Sequence, residues 1–120
     1  MKEEVKRWLS SAKEDCDTAG FNLQGKRYKY ATFLCQQAVE KALKALLLNT
    51  IGSIRKIHDL VELSREAGLP EALRGELKEL TIAYIYSRYP DVSEVVDLKK
   101  KAKKFVKISE RVLKWVEHNL

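Results

Sequence analysis

Histidine and cysteine are scarce in this chain. His58 and His118 stand far apart, and Cys16 and Cys35 lack the spacing of a zinc or redox motif. With no further His or Cys close to His58, a catalytic metal is not expected, and no cofactor is implied. His58-Asp59 reads first as a helix-start pair and second as a polar contact in a ligand or partner site. The glycines are scattered, and none forms a Gly-rich turn ahead of a Lys-Ser or Lys-Thr pair, so a phosphate-cradling loop is absent. Ser, Cys and His fall in no arrangement that would activate a nucleophile. No apolar run approaches the roughly 20 residues of a membrane span. The opening MKEEVKRW is too charged for the core of a signal peptide. Both cysteines sit at apolar positions of helical patterns, which predicts buried thiols rather than a disulfide and suits a reducing cytoplasm.

Strand signals are missing as well, because no alternating apolar run is flanked by turn residues. What is present is helical. A chain of 120 residues makes one domain with a real core, and 45% hydrophobic with 33% charged residues suits a globular protein. The stretch Ala31 to Asn49, ATFLCQQAVEKALKALLLN, has no Gly or Pro and is apolar over most of its circumference. Such a helix is normally buried among neighbours. It still carries a narrow polar strip of Gln36, Gln37, Glu40, Lys41 and Lys44, in which Gln37, Lys41 and Lys44 follow the spacing of one face. Glu40 precedes Lys44 by four, the favourable ion-pair order.

Around this central segment the pattern predicts a first helix over about Lys2–Phe21, with Val5, Trp8, Leu9, Ala12, Cys16 and Ala19 as its apolar stripe. Gly20 and Gly25 bracket a turn, and Gly52 ends the central helix. A short helix follows over about Asp59–Ala67, capped by His58 or Asp59, and Gly68 with Pro70 opens another over about Glu71–Tyr86. Pro90 interrupts the chain, making Ser87–Val96 a connection or frayed end. Asp97 reads as the N-cap of a last helix over about Leu98–His118. The expected architecture is all-α: an up-and-down four-helix bundle with an additional short helix, in a single domain over residues 1–120 without repeats.

The net charge is +6 and the pI about 9.3, so polyanions or nucleotides are natural partners. Much of the excess is local, in Lys99, Lys100, Lys101, Lys103, Lys104 and Lys107. The simplest reading is a solvated helix face, and the sharper one is contact with a phosphate backbone. Tyr84 to Asp91 is more unusual, with three aromatics around Arg88 at a proline-forced helix end. These residues offer stacking surfaces and a guanidinium fork for phosphate or carboxylate. The structural alternative packs the tyrosines on the bundle end and pairs Arg88 with Asp91 or a helix terminus.

Taken together, Trp8, Ala12 and Asp15, the run A-x2-L-C-Q-Q-A-V-E-K-A-L-K-A-L from Ala31 to Leu46, H-D-L-x2-L from His58 to Leu63, and Tyr84 with S-R-Y-P-D from Ser87 to Asp91 resemble the HEPN domain family. The resemblance covers nearly the whole chain. It implies an up-and-down helical bundle, commonly dimeric, often encoded beside a minimal nucleotidyltransferase. Many members of that family are RNases, often toxins, marked by an Arg followed by His after four to six intervening residues. Arg88 lies in the corresponding region, but YPDVSEV over residues 89–95 contains no His, so the motif is not met there. Arg111 and His118 have six residues between them, a formal match late in the last helix that reads as coincidence.

The expectation is therefore a non-catalytic HEPN-like protein that binds a nucleotide or nucleic acid and acts with a nucleotidyltransferase in a toxin–antitoxin-like pair, as a homodimer. Lys41 and Lys44 would supply charge, His58 and Asp59 polar contacts, Arg88 a phosphate clamp, and Tyr84 or Tyr89 a stacking face. A metal-independent RNase working across a dimer and a pure protein-interaction module are the competing readings.

Overall fold

The computed structural model describes residues 2–89 and 97–120 and contains five helices: α1 (Glu3–Gln24), α2 (Tyr28–Ile51), α3 (Leu60–Ala67), α4 (Glu71–Ser87) and α5 (Leu98–His118). The long helices α1, α2, α4 and α5 form an up-and-down four-helix bundle, and α3 is the additional short helix. Among the described residues α2 packs against each of the other four helices, and its contact with α1 is the most extensive in the fold. Its burial follows from its composition. Ala31, Ala38, Ala42 and Ala45 let neighbours approach, while Leu43, Leu46, Leu47 and Leu48 fill the space between them.

The first helix is longer than expected. It runs through Gly20, where a side chain would meet nothing within 4 Å, so that glycine marks no turn. The turn lies later, where Lys26 takes φ 61° and Arg27 N–H donates to the Asn22 carbonyl at 2.8 Å. The buried stripe of Val5, Leu9, Ala12, Cys16 and Ala19 is the one the periodicity predicts. Cys16 and Cys35 are free and buried, and burial pushes the Cys35 thiol up to about 12. The Cys16 thiol lies 3.5 Å from the Ser109 hydroxyl, so α1 and α5 meet around a small buried polar contact.

Gly52 and Gly68 end α2 and α3 in the left-handed region, with φ 90° and 78°, where a Cβ would be strained. Asp59 caps α3, its Oδ1 accepting from the Val61 and Glu62 N–H groups at 2.9 and 3.2 Å. The expected cap at Asp97 is corrected. Asp97 sits at φ 57°, outside the extended region that capping requires, and its side chain makes no cap hydrogen bond. Pro90, Asp91 and the rest of the connection to residue 96 lie outside the described residues, and with them any pairing of Arg88 with Asp91.

A candidate groove between α2, α3 and α4

From Gln36 to Lys44 every fourth residue of α2 is polar, and all three are buried: Gln36 is 1% exposed, Glu40 7% and Lys44 4%. A charge held at that depth requires partners, and each has them. Gln36 Nε2 donates to Glu40 Oε1 at 3.1 Å, and Lys44 Nζ donates to Glu40 Oε2 at 3.1 Å. Gln37 Nε2 closes the outer end by donating to Gln36 Oε1 at 2.8 Å. Lys44 also stands 5.9 Å from the centre of the Trp8 ring on α1.

The fourth member arrives from the connector. His58 Nδ1 lies 3.0 Å from Glu40 Oε2, although the imidazole itself is 82% exposed. Facing a carboxylate oxygen, Nδ1 carries the proton and donates, which leaves Nε2 on the solvent side of the ring. Burial pushes the Glu40 carboxyl up. Hydrogen bonds from His58, Gln36 and Lys44, with the Lys44 charge, more than offset this and hold it below the usual carboxylate value. At neutral pH Glu40 is thus a charged hub that anchors an exposed imidazole from beneath.

Beside this hub opens a groove of about 650 Å³, whose lining includes Gln36 and His58, both bonded to Glu40. Gln36, His58 and Asp59 line one side, and Lys78, Thr81, Tyr84 and Arg88 of α4 line the other. That volume falls within the range of small-molecule sites. Arg88 stands at the end of α4 with its Cζ 5.4 Å from the Tyr84 ring centre and its Nη1 3.5 Å from Tyr84 Oη. The Tyr84 ring in turn leans on Phe33 of α2, with centroids 5.5 Å apart at 30°. The guanidinium therefore rests on an aromatic surface held by two helices, oriented before any anion arrives.

Of the residues singled out in the sequence, His58, Asp59, Tyr84 and Arg88 come together here. Asp59 has a structural duty as well, since one of its carboxylate oxygens caps α3. Lys41 and Lys44 do not join the groove. Lys41 Nζ pairs with Asp15 Oδ2 at 2.7 Å and donates to Ser11 Oγ at 2.8 Å, which ties α2 to α1. Lys44 is enclosed by Glu40 and Trp8 and presents no charge outward. The reason is angular. Successive residues turn about 100° around a helix axis, so the row Gln37–Lys41 faces α1 while Gln36–Glu40 faces α3 and α4. Tyr89 lies just past α4, half exposed, and is not part of the groove lining.

Glu40 and Gln36 were read in the sequence as part of the polar strip, with Glu40 paired to Lys44 as it is, but not as residues of the site. The signal was available, in the spacing by fours of Gln36, Glu40 and Lys44 on an otherwise apolar helix. Among the described residues no three His, Cys, Asp or Glu side chains gather as a metal set, and no helix is long and apolar enough to cross a membrane.

Comparison with known proteins bears on this arrangement. The family model described as HEPN domain matches residues 5–119. The crystal structure of TT1696 from Thermus thermophilus superposes with a TM-score of 0.86 at 28% identity, covering 99% of this chain and 100% of that one. The crystal structure of ST0689, an archaeal HEPN homologue, superposes with a TM-score of 0.76 at 31% identity, covering 98% of each chain. Comparison with curated proteins finds no match.

Proposed function

Because this chain belongs to the HEPN domain family, we propose that it is a binding member of that family, one that holds a nucleotide or an end of a nucleic acid in the α2–α4 groove. The observation that carries the reading is the pairing of a ring-supported Arg88 with His58, whose free Nε2 edge is braced on buried Glu40. A guanidinium fork suits a phosphate, the Tyr84 face suits a base, and the imidazole edge offers a directional polar contact. No His follows Arg88 within the spacing of the ribonuclease motif, so this groove lacks the family's Arg–His pair and binding is its better use.

In this reading the protein acts in the cytoplasm as a homodimer, beside a nucleotidyltransferase subunit in a toxin–antitoxin-like pair. Its support is the rim of the groove, where Ile82, Ile85 and Tyr86 of α4, with Tyr89 beyond it, are about half exposed. Clustered apolar surface of this kind is a mark of protein contact.

Calorimetric titration with nucleoside mono- and triphosphates tests the groove. Arg88→Ala should weaken binding about 10- to 100-fold, the range for losing a hydrogen bond to a charged group. Unchanged affinity in that variant would remove the groove as the site. Cleavage of RNA by the purified protein, lost in Arg88→Ala or His118→Ala, would replace the binding reading with that of an RNase. Sedimentation of the chain alone and with a co-encoded nucleotidyltransferase reads the partnership.

A further inference from the structure

The other flank of α4 faces α5 across a second cleft, of about 360 Å³, lined by Glu76 of α4 and by Lys100, Lys103, Lys104, Lys107 and Arg111 of α5. The lysines are turned outward by the helical period, because Ala102, Phe105, Val106, Ile108, Val112 and Val116 bury the opposite side of α5. At about 100° per residue, Lys100, Lys103, Lys104, Lys107, Arg111 and Lys114 all fall within an arc of about 100°. From Lys100 to Lys114 the row is about 21 Å long.

The carboxylates facing this row are concentrated on one of its members. Lys104 Nζ pairs with Glu76 at 3.0 Å and Glu79 at 2.8 Å, and Glu79 also lies 3.6 Å from Lys101. Lys100, Lys103, Lys107, Arg111 and Lys114 make no ion pair among the described residues. A face that only solvates the helix would interleave signs, as Glu3 with Lys6 and Glu62 with Arg65 do elsewhere in this protein. Here like charges sit at neighbouring helical positions, where their mutual repulsion opposes the helix. An anionic ligand relieves that repulsion.

We infer that the α5 row is a second binding site, separate from the α2–α4 groove, for the phosphodiester backbone of a nucleic-acid strand. The shape of the row selects that chemistry. Cations in line do not converge on a single phosphate, but they match a chain of them: about 21 Å corresponds to roughly six nucleotides at 3.4 Å per nucleotide of strand. Among the described residues no aromatic side chain lines the cleft, so bases are not stacked there and the contact is electrostatic and independent of sequence.

Fluorescence anisotropy with labelled single-stranded RNA and DNA of about 12 nucleotides, titrated from low to moderate salt, tests this. With five free cations engaged, log K should fall against log salt with a slope of about −3.5. The exposed triple variant K103Q/K107Q/R111Q should make the slope shallower by about 2 and weaken binding about 100-fold at 0.1 M salt. A control with the same charge change outside the row, K2Q/K6Q/K56Q at the start of α1 and in the connector after α2, should keep the wild-type slope. Circular dichroism melts confirm that both variants are folded. RNA and DNA should bind alike, since no 2′-hydroxyl or base contact is built in. Equal losses in the two triple variants would overturn the proposal, because net charge rather than the row would then be responsible. A preference above tenfold for either nucleic acid, or tighter binding to phosphatidylserine vesicles than to both oligonucleotides, would overturn it too.

Discussion

On one side of α4 the polar groups are buried and tied to one another. On the other side they are exposed, and most have no partner among the described residues. Beside the first groove Gln36, Glu40 and Lys44 make their hydrogen bonds within the protein, and the outer edge of His58, the Arg88 guanidinium and the Tyr84 ring face the groove. The second has carboxylates too, but Glu76 and Glu79 both converge on Lys104. In the buried set each interaction acts at low effective dielectric, so geometry is fixed and discrimination is by shape. On the lysine row water and salt screen each charge within about 10 Å at 0.1 M, so what acts there is the number of charges. One helix can thus divide a small domain into a site that selects and a surface that attracts.

The sharpest break between the two sides is in stability. Replacing Glu40 by Ala leaves Lys44 buried without its counter-charge, and such a loss is expected to cost about 3–5 kcal/mol in urea denaturation. Adding Lys44→Met should recover part of it, as an apolar side chain of similar length refills the same space. If the double variant is no more stable than Glu40→Ala, the pair is not what organises this region. By contrast, Lys103→Gln on the exposed row should stay within about 0.5 kcal/mol of the parent.

Acid should separate the sides next. The Glu40 carboxyl is held below its ordinary value of 4.5, so its contribution to stability is complete above that value and is lost as pH falls through the lower folded value. Unfolding free energy measured from pH 7 down to pH 3 should therefore drop in the parent. Glu40→Gln should show a shallower drop. A matching profile would assign the acid sensitivity to other carboxylates, of which Glu79, also lowered by its Lys104 hydrogen bond, is the first to test.

A much smaller effect on stability than that of Glu40 concerns Lys104. Its pairs with Glu76 and Glu79 are largely exposed, so Lys104→Gln should cost less than about 1 kcal/mol. The same change releases two carboxylates onto the cationic row, and oligonucleotide binding should weaken more than loss of one lysine explains. Binding that falls no further than in Lys103→Gln would mean that Glu76 and Glu79 do not face the strand.

Much of this architecture was legible in the residues. The five helices could be read because α1 and α5 carry one-sided stripes, and because Gly52, Gly68 and Pro70 stand at helix ends. Gly20 misled because a glycine with open space around it tolerates a helix as well as a turn. The groove was half legible. His58-Asp59 and Tyr84 with Arg88 were visible as unusual pairs, and they meet. Lys41 and Lys44 were misplaced because a polar strip in one dimension does not say which of its rows a neighbouring helix will cover. Asp15 and Ser11 of α1 took the first row, and Glu40 with Trp8 enclosed the second lysine.

The sequence by itself determined an all-α bundle, the burial of most of Ala31 to Leu48, the free thiols and the one-sided crowding of cations on the last helix. Each of these depends on local periodicity, and a helix places its own residues on its own faces without help. The tertiary structure alone decided that Glu40 is the hub beside the first groove, that His58 swings back onto it, and that among the described residues Glu76 and Glu79 leave most of the lysine row unpaired. Those outcomes depend on which elements, distant along the chain, arrive against each face, and packing rather than local pattern selects them.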